Sequence, residues 1–158
     1  MILSRACEYG VQALIYLNTR PDGEYVSVPV IARAQKISPS FLSKIVRQLV
    51  TNRLLDSMKG PGGGVRLSRP AGRILLLDIV RAIDGLEGFE RCVIGEPHCS
   101  DKRPCPVHSF WLPIRLSIHR MFSEHSLSDL SRVRYKAEKR PLGTTRGRKA
   151  NTRRRKDS

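Results

Sequence analysis

The chain has 158 residues, with 29 lysines and arginines against 14 aspartates and glutamates, a formal net charge of +15, and 40% hydrophobic and 6% aromatic residues. That length suits one domain, or one domain and a tail, and is enough to bury a core. No run approaches the ~18 apolar residues of a membrane helix, and Arg5 and Glu8 interrupt the apolar stretch that a secretory leader would need. The expected compartment is the cytoplasm, where disulfides are rare and cysteines more often bind metal or carry redox chemistry.

In chain order, Leu3, Ala6, Cys7, Gly10, Ala13, Leu14 and Leu17 recur at three and four and predict an amphipathic helix over 3–17, capped by Ser4. Pro21-Asp22-Gly23 is a turn. A short helix is predicted over 28–35, with Val30, Ile31 and Ala34 apolar and Pro29 in its first turn. After the tight Lys36-Ile37 connection, Ser38 and Pro39 open a third helix to Asn52, with Phe41, Leu42, Ile45, Val46 and Leu49 inward. Two short helices joined by so short a turn are the helix-turn-helix signature. Residues 54–59 and 65–68 are strand candidates joined by Gly60-Pro61-Gly62-Gly63-Gly64, a hairpin with a side-chain-poor tip. That hairpin reads as a wing, the plainer alternative being a small α+β domain whose hairpin only packs.

A further helix is predicted over 75–84, ended by Gly85, followed by a loop over 86–108 that holds three of the four cysteines. Ser109–Glu124 then carries Phe110, Trp111, Ile114, Ile118, Met121 and Phe122, with Pro113 in its first turn. So apolar a helix after a domain with its own core is expected to pack against a second copy of itself, giving the two-fold symmetry that palindromic half-sites require. Folding back onto its own domain is the alternative. The expected fold class is mainly α with a small β-hairpin wing. Its expected layout is a winged helix-turn-helix domain at 1–85, a cysteine-rich loop at 86–108, a dimerisation helix region at 109–131 and a basic tail at 132–158.

Charge is unevenly spread. Residues 132–158 hold 12 basic and 2 acidic residues, net +10, whereas residues 1–131 carry 17 and 12, net +5. The tail lacks apolar periodicity and is expected to be disordered. Such a tail either solvates itself or adds salt-sensitive, non-specific affinity for polyanions. On a recognition helix over 39–52 the outward positions are Ser40, Ser43, Lys44 and Arg47, with Ser38 at the cap. Serine specifies little, while lysine and arginine reach guanine or phosphate. Lys59, Gly60 and Arg66 present the wing to a minor groove or backbone of double-stranded DNA. No nucleophile–base pair, P-loop ending or paired carboxylates point to an enzyme.

Cys92, Cys99, Cys105 and His108 lie within 17 residues of one loop, so three thiolates and an imidazole can converge on one centre at little closure entropy. Pro104 and Pro106 flank Cys105, and a proline after a cluster cysteine recurs in iron–sulfur proteins. The spacing alone leaves an iron–sulfur cluster, a structural zinc site and unligated thiols all open. Cys7 reads as a small buried hydrophobe, with a ligand or redox role as the sharper alternative.

Ser4-Arg5-Ala6-Cys7-Glu8-Tyr9, Ile37-Ser38-Pro39-Ser40-Phe41-Leu42, Lys59-Gly60-Pro61-Gly62-Gly63-Gly64 and Leu77-Asp78-Ile79-Val80-Arg81-Ala82-Ile83-Asp84-Gly85 resemble the Rrf-type winged-helix regulators, the group of IscR, NsrR and CymR, over residues 1 to about 130. The resemblance implies a homodimeric transcription factor, a repressor or other regulator, with a long dimerisation helix. It maps the cluster-binding members' three-cysteine loop onto Cys92, Cys99 and Cys105. His108 matches the extra histidine ligand of the IscR type, which implies a 2Fe–2S centre in preference to 4Fe–4S. Glu8 matches an acidic residue that, in NsrR-like members, ligates a 4Fe–4S cluster from the other subunit. The signal implied is redox, nitric oxide or iron–sulfur status, and a zinc-stabilised or cluster-free regulator of the same fold is the alternative.

Overall fold

The first helix, α1 (Arg5–Asn18), starts where the sequence supplies a cap. The Ser4 hydroxyl accepts the Cys7 N–H at 3.1 Å, satisfying a donor that a first turn otherwise leaves orphaned. The computed structural model describes residues 2–95 and 100–138, with side chains as far as Arg132. The chain continues through α2 (Val28–Gln35), α3 (Pro39–Thr51), β1 (Leu55–Met58), β2 (Gly64–Leu67), a 3-10 turn at Ala71–Arg73, α4 (Leu76–Ile83), α5 (Glu87–Glu90), α6 (His108–Glu124) and α7 (Leu127–Glu138).

Helices α1 to α4 enclose one core. Leu14, Ile31, Leu42, Ile45, Leu49, Leu54, Ile74, Ile79 and Val80 are fully buried, each contributing roughly 1.5–3 kcal/mol by leaving water. Gly10 lets α1 close on its neighbours, because a Cβ there would run into the Ile83 side chain. Lys36, in the left-handed conformation at φ 55°, ends α2, and Pro39 opens α3 at its first position. The strands pair antiparallel from Leu55↔Leu67 to Met58↔Gly64. Val26 adds a third edge, exchanging two N–H···O bonds of 2.9 Å with Val65.

The C-terminal half returns to this core. The Leu76 N–H donates to the His125 carbonyl at 2.9 Å and the Leu127 N–H to the Ile74 carbonyl at 2.7 Å, so the α6–α7 junction is stitched to the start of α4. Phe122 is buried edge-to-face on Phe89 with centroids 5.3 Å apart. Ser126 and Asp129 form a reciprocal cap on α7: the Asp129 carboxylate accepts the Ser126 N–H at 3.0 Å, and the Ser126 hydroxyl accepts the Asp129 N–H at 3.2 Å. The side-chain and backbone hydrogen bonds from Ser126 hold the Asp129 carboxyl below its usual range.

The structure corrects several sequence expectations. Phe41 is 37% exposed rather than inward, resting edge-on against Tyr9 at 5.9 Å. The 86–108 segment is not all loop, because α5 occupies Glu87–Glu90. Pro113 lies inside α6, beyond its first turn, because the helix begins at His108. Helix α7 extends past residue 131 to Glu138, into the segment read as tail; residues 139–158 lie outside the described residues.

Candidate nucleic-acid interface and metal centre

Helices α2 and α3 pack against each other, and the α3 face away from the core carries the residues picked from the sequence. Ser38, Ser40, Ser43, Lys44 and Arg47 are all exposed. The serine hydroxyls already have local partners: Ser38 and Ser40 share a 3.0 Å bond, and Ser43 donates to the Pro39 carbonyl at 2.8 Å. Lys44 and Arg47, three residues apart, present the cations of this face. In the wing, Lys59 and Gly60 are exposed at the hairpin tip. Gly60 and Gly62 sit at φ +90° and +73° in open space, a turn that side chains rarely permit and that leaves the backbone bare for close approach.

Arg66 has partners within the hairpin. Its guanidinium reaches across the hairpin to Asp56 at 3.4 Å and stacks 4.7 Å above the Tyr25 ring, so it braces the base of the wing. Sequence reasoning missed Arg69, which donates to the carbonyls of Arg73 (3.0 Å) and Arg53 (3.1 Å) and pairs with Asp78 at 2.9 Å. It thereby joins the wing exit to the end of α3 and the start of α4. No periodicity marks such a residue; its only signal is a cation beside Pro70 at the end of a predicted strand.

Cys92 follows α5 and Cys105 precedes α6. The short α5 is clamped against the long α6: Trp111 Nε1 donates to the Arg91 carbonyl at 3.2 Å and Arg115 to the Glu90 carbonyl at 2.9 Å. The clamp brings the Cys92 and Cys105 sulfurs to 3.7 Å. Cys92 and His108 are buried, Cys105 partly so. The His108 N–H donates to the Cys105 carbonyl at 2.9 Å, and its Nε2 lies 2.8 Å from Asp101. Cys99 lies outside the described residues, and among the described residues no three metal-binding groups converge. The donor chemistry nevertheless fits a metal centre. A tetrahedral ion with metal–thiolate bonds of about 2.3 Å spans two sulfurs roughly 3.8 Å apart, close to the spacing found. Glu8 pairs with Arg5 at 3.3 Å on α1, which packs against α2, α3, α4 and α7. Cys7 is wholly buried, and burial, with the Asp84 and Glu8 carboxylates nearby, pushes its thiol up to about 12.

Two helices with a short turn, an exposed cationic second helix and a glycine-tipped hairpin define a winged helix-turn-helix DNA-binding domain. The chain belongs to the Rrf2 family of iron-dependent transcriptional regulators, whose match spans residues 3–132. A protein of Aquifex aeolicus assigned by name to the HTH-type transcriptional regulators is 31% identical over 138 residues, 86% of this chain and 95% of its own. One of Mycobacterium tuberculosis H37Rv with the same assignment is 33% identical over 132 residues, 83% and 81% of the two chains. Among solved structures, CymR, the global cysteine regulator of B. subtilis, superposes with a TM-score of 0.71 at 22% identity, covering 83% of this chain and 96% of its own. IscR of T. potens does so at 0.68 and 26% identity, covering 86% and 90%. The protein is a DNA-binding transcriptional regulator, not an enzyme.

Proposed function

We propose that this regulator is a homodimer that binds a palindromic operator in the cytoplasm and whose operator affinity is set by an iron–sulfur centre. The observation that carries the reading is the Cys92–Cys105 pair, held at the spacing of two thiolates on one tetrahedral ion. Cys92, Cys99 and Cys105 would supply three thiolates. His108 would supply the fourth ligand and favour 2Fe–2S; the partner subunit's Glu8 in that position would favour 4Fe–4S. Asp101 lies 2.8 Å from Nε2 of His108, and its carboxylate would orient the imidazole in such a centre. Such a centre supplies sensitivity to redox, nitric oxide or iron–sulfur status.

The chain's own residues carry the consequence. Trp111 and Arg115 tie the cysteine loop to α6, which leaves an outward face of Phe110 (75% exposed), Ile114 (51%) and Met121 (42%) beside Ile2 and Pro113. A patch this apolar suits an interface between copies. A change in the loop therefore moves the helix that sets the separation of the two recognition helices, which is a coupling of two sites through one two-state element.

The DNA-reading surface in this proposal is Ser38, Ser40, Ser43, Lys44 and Arg47 with Lys59 and Gly60, and Arg66 supports the wing from behind. The test is visible absorption of anaerobically prepared protein. Alanine at Cys92, Cys99 or Cys105 removes the charge-transfer bands; His108→Ala shifts or bleaches them while Glu8→Ala leaves them. The reverse pattern assigns the fourth position to Glu8, and colourless protein with stoichiometric zinc overturns the iron–sulfur reading in favour of a zinc-stabilised regulator.

A further inference from the structure

We propose that Cys92 and Cys105 form an oxidisable pair that closes to an intramolecular disulfide in the metal-free protein, a second redox state of this loop distinct from any change in a bound cluster. The pair is positioned by elements outside the loop's middle. Cys92 is held by a turn in which its carbonyl accepts the Gly95 N–H at 3.0 Å, and Cys105 by the bond from the His108 N–H. The bonds from Trp111 and Arg115 to the carbonyls of Arg91 and Glu90 lock α5 against α6. The sulfurs at 3.7 Å must close to about 2.05 Å for the bond, a movement side-chain rotation with a small loop adjustment supplies.

The two cysteines differ in access. Cys105 is partly exposed, whereas Cys92 is 6% exposed, so an oxidant arriving from solvent meets Cys105 first. With hydrogen peroxide as oxidant, Cys105 loses its proton and the thiolate attacks one peroxide oxygen; the O–O bond breaks, and the departing hydroxide takes up that proton, leaving Cys105 sulfenic acid and one water. Cys92 sulfur then attacks the Cys105 sulfur, the S–O bond breaks, and the departing hydroxide takes the proton of Cys92 as a second water. Two thiols and one peroxide give one disulfide and two waters. The product removes two sulfur donors from the proposed centre at once, and reduction by a dithiol restores them.

The experiment uses the full chain, freed of metal by a chelator under reducing conditions and then exposed to stoichiometric hydrogen peroxide. Expected is an intact-mass loss of two hydrogens and a peptide cross-link joining Cys92 to Cys105. Alkylation of both residues is lost together and recovered with dithiothreitol. Cys99→Ala forms the same bond, whereas Cys92→Ser stops at a dimedone-trappable sulfenic acid on Cys105. A cross-link to Cys99 instead, or both thiols still alkylated after peroxide, overturns the proposal. Anaerobic reconstitution of the reduced protein with iron and sulfide separately tests the ligand reading: a coloured product alongside a failed cross-link leaves the cluster standing and removes only the disulfide.

Discussion

Cys7 and Cys105 are thiols in opposite environments. Cys7 is enclosed by the α1–α3–α4 core, and its burial beside Asp84 and Glu8 pushes its ionisation up to about 12; Cys105 lies partly open at the start of α6. Alkylation of the reduced, metal-free protein at pH 8, followed by peptide mass spectrometry, is expected to modify Cys105 and spare Cys7 until the chain unfolds. The same shift has a stability consequence. The fold holds Cys7 neutral, while an unfolded chain ionises it near its ordinary value of 9.0. This contribution is therefore complete below about pH 9 and is lost as pH rises from there towards about 12. Cys7→Ala is expected to flatten the decline in unfolding free energy over that window, measured by urea titration. At the interface, Lys44→Ala with Lys59→Ala is expected to weaken operator binding, each specific contact being worth about 1–3 kcal/mol. Arg66→Ala is expected to lower thermal stability through loss of its Asp56 and Tyr25 contacts, with little change in the salt dependence of binding. Equal salt slopes for Lys59→Ala and wild type would remove Lys59 from the phosphate-contacting surface.

Among the elements, those with strong local signals were legible. Helix α2 falls on the predicted span because Pro29 opens it and the Lys36 turn closes it, but its buried face is Ile31 with Ala32, while Val30 and Ala34, read as inward, are exposed; α3 begins at Pro39 as expected. Phe41 misled because periodicity places it inward, yet it lies at the rim of the core, edge-on to Tyr9 of α1 and 37% exposed. Helix α7 was hidden by composition: it carries Leu127 and Leu130 among charged residues, and its stability comes from the Ser126–Asp129 cap and docking on α1, neither visible as an apolar stripe. Helix α6 was correctly read as apolar, but its two faces do different work. Ile118 and Phe122 turn onto the core and Trp111, half-buried, reaches back to the Arg91 carbonyl, while Phe110, Ile114 and Met121 face solvent in the single chain. Phe110→Glu with Ile114→Glu is expected to convert the protein to monomers in sedimentation equilibrium while the helical circular dichroism is retained. An unchanged dimer would move the interface elsewhere.

For the whole molecule, the donor residues of the cysteine loop were visible in the sequence but their spatial arrangement was not. The α5–α6 clamp that brings Cys92 to Cys105 depends on Trp111 and Arg115 reaching back across 20 and 25 residues, which no local pattern encodes. Charge distribution was readable directly. Because α7 runs to Glu138, a tail truncation that preserves the fold ends there, removing 9 basic and 1 acidic residues, a net +8. The truncated protein is expected to bind random-sequence DNA more weakly, with a shallower dependence on salt, while keeping the preference for operator that the proposed function assigns to α3 and the wing. Loss of that preference would give the tail a part in specificity.

The proposed coupling of an iron–sulfur centre to DNA affinity is tested by following both in one sample. Anaerobically purified full-length protein is analysed for iron, sulfide and visible absorption, then titrated with an operator selected from random duplexes, before and after the centre is removed. Such coupling requires coloured protein containing iron and sulfide, whose operator affinity changes by about tenfold or more, roughly 1.4 kcal/mol, on removal of the centre and returns on reconstitution. Identical affinity with and without the centre, in protein that remains folded and dimeric, would contradict it.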